Sequence, residues 1–137
     1  MIASALAIAS TKRRRQNGPS VGSPSGAWAK TLSYPHVRIA GGQVKVWNTP
    51  EDYAKDNDTN KLADAQNWAY SKWDWRQLVQ AGPDKLHYTV QFSRYSKDNK
   101  KLVSYESFYI LTKNKDGKWG TIFRSSYAGI AVPGAAF

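Results

Sequence analysis

The chain has 137 residues, a length that suits one domain with a single hydrophobic core. It holds no cysteine, which rules out a disulfide framework, a thiolate metal site and a cysteine nucleophile together. The formal net charge of +10 raises the question of nucleic acid, but the cations are scattered. Four sit in Lys12-Arg13-Arg14-Arg15, and the others are interleaved with acids, as in Lys97-Asp98-Asn99-Lys100-Lys101. No basic stripe follows one element, so nucleic-acid binding is not expected, and the lysines at turn tips read as solvated guards against edge pairing.

In chain order, residues 1–26 read as a tail: an apolar nonapeptide, the basic cluster, and a run of Gly, Pro and Ser that buries too little to order itself. The nonapeptide is too short to cross a membrane, and its charges follow it, whereas a secretory signal carries them in front. A cytoplasmic protein with no membrane span is expected. The domain is placed at 27–130, with 131–137 as a second tail. Ala27 to Leu32 sets Trp28 and Leu32 at i, i+4, enough for a turn or two of helix. His36 to Ile39 and Val44 to Trp47 flank Ala40-Gly41-Gly42-Gln43, a hairpin signal whose register puts His36 opposite Trp47 and Ile39 opposite Val44. Thr49-Pro50-Glu51-Asp52 is a helix start: an N-cap Thr, Pro at the first helical position and acids against the dipole. A second helical segment is expected from Lys61 to about Ala69, with Leu62, Ala65, Gln66 and Ala69 on one face.

Trp73 to Tyr127 reads as a four-strand antiparallel meander. Its turns are Ala81-Gly82-Pro83-Asp84, Ser96-Lys97-Asp98-Asn99 and Asn114-Lys115-Asp116-Gly117, and the runs between them are rich in β-branched and aromatic residues. If Asn99 and Gly117 are left-handed residues closing type I turns, the even-numbered residues of the last three strands share a face. That face holds Leu86, Tyr88, Val90, Phe92, Phe108, Ile110 and Ile122, with Glu106 and Arg124 as polar members. The odd face, with His87, Thr89, Gln91, Tyr105, Ser107, Tyr109, Thr121, Phe123 and Ser125, has the mixed character of a subunit interface.

Glu106 and Arg124 then fall on neighbouring strands, either as a cross-strand ion pair or as a polar handle in an apolar pocket where the carboxylate serves as base. His36 and Arg38, two apart on one strand, point the same way and could hold an anion at the pocket mouth. In Trp73-Asp74-Trp75-Arg76 the alternation puts both indoles on one face and Asp74 on the other, making Asp74 a second candidate carboxylate. With only His36 and His87, no metal site is expected. No phosphate loop, Ser-His-Asp set or redox motif is visible, so no cofactor is expected.

The order of Tyr34-Pro35-His36-Val37-Arg38-Ile39-Ala40-Gly41-Gly42, then Thr49-Pro50-Glu51, then Trp119-Gly120-Thr121-Ile122-Phe123-Arg124-Ser125-Ser126-Tyr127 resembles the nuclear transport factor 2-like superfamily. That superfamily includes SnoaL-like and ketosteroid-isomerase-like proteins, and the likeness is greater to its uncharacterised bacterial members. It covers about Ala27 to Ala128. The resemblance implies an α+β fold, a cone-shaped curved antiparallel sheet wrapped around helices, with an internal pocket and a homodimer through the outer sheet face. The implied function is binding of a small, largely apolar molecule. The alternatives are an acid–base isomerase or dehydratase using Glu106 or Asp74, and a protein-interaction module. The long helix that normally opens the fold is not recognisable here. Ketosteroid isomerases draw their tyrosine from that helix, so their site is not carried over.

Overall fold

A computed structural model describes residues 28–57 and 67–127. The tails at 1–26 and 131–137 lie outside the described residues, as do residues 61–66 of the expected second helix; its last three residues, Asn67 to Ala69, are described and are not helical, Asn67 taking a left-handed φ of 54°. The elements run β1 (Leu32–Ala40), β2 (Gln43–Trp47), α1 (Pro50–Asp56), β3 (Tyr70–Ala81), β4 (Lys85–Tyr95), β5 (Lys101–Lys113) and β6 (Trp119–Ser126). All six strands form a single curved sheet in the order β2-β1-β6-β5-β4-β3. The expectation of a wholly antiparallel sheet is corrected at one place: β1 lies parallel to β6, so the sheet is mixed.

Local chemistry accounts for most of the elements. Gly41 and Gly42 both take positive φ (58° and 73°), which is what a two-residue hairpin turn demands, and His36 pairs with Trp47 and Ile39 with Val44 as the turn dictates. Asn99 and Gly117 are left-handed, at φ 61° and 78°, closing the β4–β5 and β5–β6 turns. In each turn, the left-handed amide donates to the carbonyl three residues back, at 3.1 Å to Ser96 and 3.0 Å to Asn114. Thr49 caps α1, its hydroxyl accepting from the Asp52 amide at 3.1 Å, with Pro50 opening the helix. Helix at the front of the described chain is confined to Trp28 and Ala29, and Leu32 already belongs to β1.

The non-local β1–β6 pairing depends on Gly120. A Cβ there would stand 2.5 Å from Ser33 Oγ and 2.9 Å from the Ser33 amide nitrogen, so only glycine lets the two backbones approach this closely.

Bulges decide which side chains share a face. Between Arg94↔Val103 and Tyr95↔Lys101 one residue of β5, Leu102, is left unpaired, and this reverses the orientation of β5 relative to the expectation. A second bulge at Ile122 reverses β6 back again relative to β5. The covered face therefore combines even-numbered residues of β4 with odd-numbered residues of β5 and with Arg124 of β6. Its apolar centre is Leu86, Val90, Tyr109 and Leu111, with Trp73, Tyr88 and Trp119 packed against them. A second cluster of Trp28, Ala29, Leu32, Trp47 and Tyr53 seats α1 against β1 and β2.

Candidate functional site

One row of directly paired residues crosses all six strands on the covered face: Lys45, Arg38, Arg124, Tyr109, Tyr88 and Leu78, from β2 to β3. Residues opposed across strands point to the same side, so the row sets two guanidiniums side by side, with a lysine at one end and two phenols at the other. Arg38 is 2% exposed and Arg124 3%. Burying two adjacent cations costs several kcal/mol each unless acceptors surround them.

Arg124 has such acceptors. Its Nε donates to His36 Nε2 at 3.0 Å and its Nη2 to the Tyr53 hydroxyl at 3.0 Å. Tyr109 is a further hydrogen-bond partner. Trp28 Nε1 also donates to the Tyr53 hydroxyl, at 3.1 Å, and the guanidinium lies 5.6 Å from the Trp28 ring centre and 5.7 Å from that of Tyr53. Elements distant in sequence are thus joined at one group. Asn57 Nδ2 closes the end of α1 onto the Tyr53 carbonyl at 2.8 Å, which fixes the helix that carries the phenol.

The tautomer of His36 follows from its partners. Nδ1 lies 2.9 Å from the Thr121 carbonyl, an acceptor only, so Nδ1 bears the hydrogen; Nε2 then offers its lone pair to Arg124. A second proton on the ring would break the Arg124 contact. Burial first, and then the charge of Arg124, push the His36 pKa down to about 3, so the ring is neutral. It is wholly buried between Trp47, stacked at 6.0 Å, and Tyr53, edge-on at 5.9 Å.

Arg38 is different. None of its Nε, Nη1 and Nη2 has a hydrogen-bond partner among the described residues. Burial, followed by the charge of Arg124, pushes its pKa down to about 9, which still leaves it cationic at neutral pH. Lys45, next in the row, is already paired with Asp56 at 3.5 Å, and Asp56 also accepts from Trp47 Nε1 at 3.0 Å. The burial of Tyr109 raises its pKa, keeping the phenol protonated at neutral pH, where its hydroxyl can donate.

Among the expected pocket residues, Tyr88, Val90, Phe92, His36, Arg38 and Arg124 share this face. Phe108 and Ile110 point away from it, because the Leu102 bulge reverses β5, and Ile122 is the unpaired residue of the β5–β6 bulge. The same reversal separates the expected Glu106–Arg124 pair: Glu106 lies opposite Gln91 and is exposed on the outward face, while Arg124 lies opposite Tyr109. It also moves Tyr105, Ser107 and Tyr109 off the supposed interface face. Asp74 is itself the unpaired residue of a β3 bulge, which sends Trp73 and Trp75 to opposite faces. Its carboxylate accepts from Ser93 Oγ at 2.5 Å and is exposed, away from the arginines. Tyr53, Tyr109, Trp28 and Lys45 are the members that sequence reasoning missed. The alternation Lys45, Trp47 opposite His36, Arg38 was the available signal for one of them.

Among the described residues no cluster of three or more His, Asp or Glu is placed to hold a metal, and no helix is long and apolar enough to cross a membrane. A surface depression of about 270 Å³ at the β3–β4 turn, lined by Gln80, Ala81, Gly82, Lys85 and His87, belongs to strands at least three removed from Arg38 in the sheet.

This architecture is that of the NTF2-like fold. No protein-family model and no curated protein sequence matches the chain. Solved structures do match. An NTF2-like protein of unknown function from Shewanella oneidensis superposes with a TM-score of 0.59 at 9% identity, over 77% of this chain and 84% of that one. An NTF2-like protein with a cystatin-like fold from Novosphingobium aromaticivorans gives 0.58 at 10% identity, over 75% and 68%. A ketosteroid isomerase-like protein from Erwinia carotovora gives 0.52 at 14% identity, over 75% and 79%. At these identities the likeness establishes the fold and leaves the activity to the site.

Proposed function

We propose that the chain is a small-molecule-binding module whose ligand lies against the covered face of the sheet, within the cone that the fold implies, at the Arg38–Arg124 row. The observation that carries this reading is Arg38: a guanidinium 2% exposed with three nitrogens lacking partners among the described residues. A fold would be more stable with an apolar residue at such a position, and completion by a ligand is a reason for keeping an unsatisfied buried cation there. Aromatic rings flank the row beside it, Trp28 and Tyr53 against Arg124 and Trp47 against His36, and the apolar centre lies further across the sheet at Val90 and Leu111.

The acid–base alternative has less support. The two carboxylates expected to serve as base lie on the outward side, and His36 has both ring nitrogens engaged. A ligand-observed NMR screen with a mixed fragment library tests the binding reading. Hits should shift the indole N–H resonances of Trp28 and Trp47. Hits that shift only outward-face residues such as Trp75, or a library with no hits, would sink it.

Pairing with a second copy through the outward face is a further part of the proposal. Ile39, Val44, Val46 and Trp75 are exposed there, at 38%, 66%, 54% and 40%. Light scattering on Gln91→Arg should report a smaller mass than the parent; an unaltered mass would argue against that face.

A further inference from the structure

Resting on the ligand-binding reading above, we infer that the ligand is a monocarboxylic acid with an apolar or aromatic body, its carboxylate held in plane by the fork of Arg38. The first ground is charge. Lys45 is paired with Asp56, and Arg124 is enclosed by His36, Tyr53 and Tyr109. The partners of Arg124 are neutral but engage its donors, so among the described residues Arg38 is the guanidinium of this pair whose nitrogens are left open, and an anionic acceptor is what it calls for.

The second ground is the polarity of the lining. The Tyr53 hydroxyl already accepts from Trp28 and from Arg124, and Tyr109 is hydrogen-bonded to Arg124 as well. Their oxygens are occupied as acceptors, so what each phenol offers a ligand is its hydrogen. With the N–H groups of Arg38, the wall presents donors and, among the described residues, no carboxylate acceptor. Such a wall takes an oxyanion and leaves an amine or ammonium without a partner.

Geometry selects among oxyanions. The planar guanidinium matches the two oxygens of a carboxylate in a bidentate contact. Phosphate carries close to two charges at neutral pH and would ask for a second cation with open donors or a cradle of backbone amides; among the described residues neither stands beside Arg38, since the neighbouring Arg124 has its donors engaged. Trp28, against Arg124, and Trp47, stacked on His36, suit an apolar body behind the charged group.

Benzoate, benzamide and inorganic phosphate separate the possibilities when titrated into the full chain at constant ionic strength, with melting temperature and calorimetry as readouts. Benzoate should raise the melting temperature in a dose-dependent way, and benzamide, the neutral isostere, should not. Arg38→Met should weaken benzoate at least ten-fold while melting no lower than the parent. Arg38→Lys, which keeps the charge and loses the fork, should weaken it by an intermediate amount and guards against a folding defect in the first variant. Equal responses to benzoate and benzamide would leave the binding face standing and overturn the carboxylate. A response to phosphate alone would overturn it in favour of a dianion. If no probe binds and Arg38→Met lowers the melting temperature, the cation is neutralised within the chain. Both readings then fall.

Discussion

At the β4–β5 end of the covered face, Leu86, Val90, Tyr109 and Leu111 pack as a buried apolar cluster flanked by Trp73, Tyr88 and Trp119. At the β1–β6 end the same face holds His36, Arg38 and Arg124, all at 3% exposure or less. The two ends are equally dry and are built for different purposes. Apolar burial at the first contributes to stability at about 25 cal/mol per Å². At the second, desolvation works against the charges, and only the groups with acceptors recover it. The difference teaches that one end supports the sheet while the other is held in place by it at a cost in desolvation.

The largest effects should come from breaking the supporting end. Leu111 is fully buried, and Leu111→Ala should cost about 2–5 kcal/mol, read as a lowered urea midpoint. The polar end should respond to acid. The His36 pKa is held down to about 3, and an unfolded histidine titrates near 6.5. Between those values the unfolded chain binds a proton that the folded chain does not, so stability rises with pH over this window. It is fully present above about 6.5 and lost progressively as the pH falls towards 3, on the order of 3–5 kcal/mol in total. Unfolding measured between pH 5 and 6.5, above most carboxylate titration, should show this slope, and His36→Gln should flatten it. A slope unchanged in His36→Gln would mean that the ring is not the titrating group.

Tyr53→Phe gives a smaller loss with a sharper meaning. The hydroxyl is the shared acceptor of Trp28 and Arg124, so its removal takes one acceptor from two buried donors. A cost of about 1–3 kcal/mol is expected by thermal or urea melting. A neutral result would show that the cluster is wetter than its burial suggests.

What the sequence disclosed was local. The Gly41-Gly42 hairpin, the Asn99 and Gly117 turns and the Thr49-Pro50 cap each depend on a few adjacent residues, and each is found where their chemistry required it. The faces were less legible because parity along a strand is lost at a single extra residue. Leu102 and Ile122 have no composition that marks them as bulges, yet the first moved Glu106 to the outward side and brought Tyr109 in. The parallel β1–β6 pair was hidden for another reason: it joins residues more than 80 apart, and its one trace in the chain is Gly120 beneath Ser33. His36, Arg38 and Arg124 were recognisable as candidates. Their convergence on Tyr53 was not, since a seven-residue helix carries too little periodicity to say which side it buries.

The smallest effect has the opposite sign, and it separates the two arginines. Arg124 and Arg38 lie side by side across one strand pair and are equally buried, but only Arg124 has its hydrogen bonds made. Replacing Arg124 with Met would orphan His36 Nε2 and release the Tyr53 hydroxyl, so it should destabilise. Replacing Arg38 with Met removes a charge that repels Arg124 and three nitrogens without partners among the described residues, and its side chain refills much of the space. The ligand-free chain should therefore gain about 1 kcal/mol, seen as a higher melting temperature. A gain of this kind is characteristic of a residue kept for binding at the expense of stability. If Arg38→Met loses stability as Arg124→Met does, the contrast between the two guanidiniums disappears, and with it the physical reason for placing a ligand between the aromatic walls.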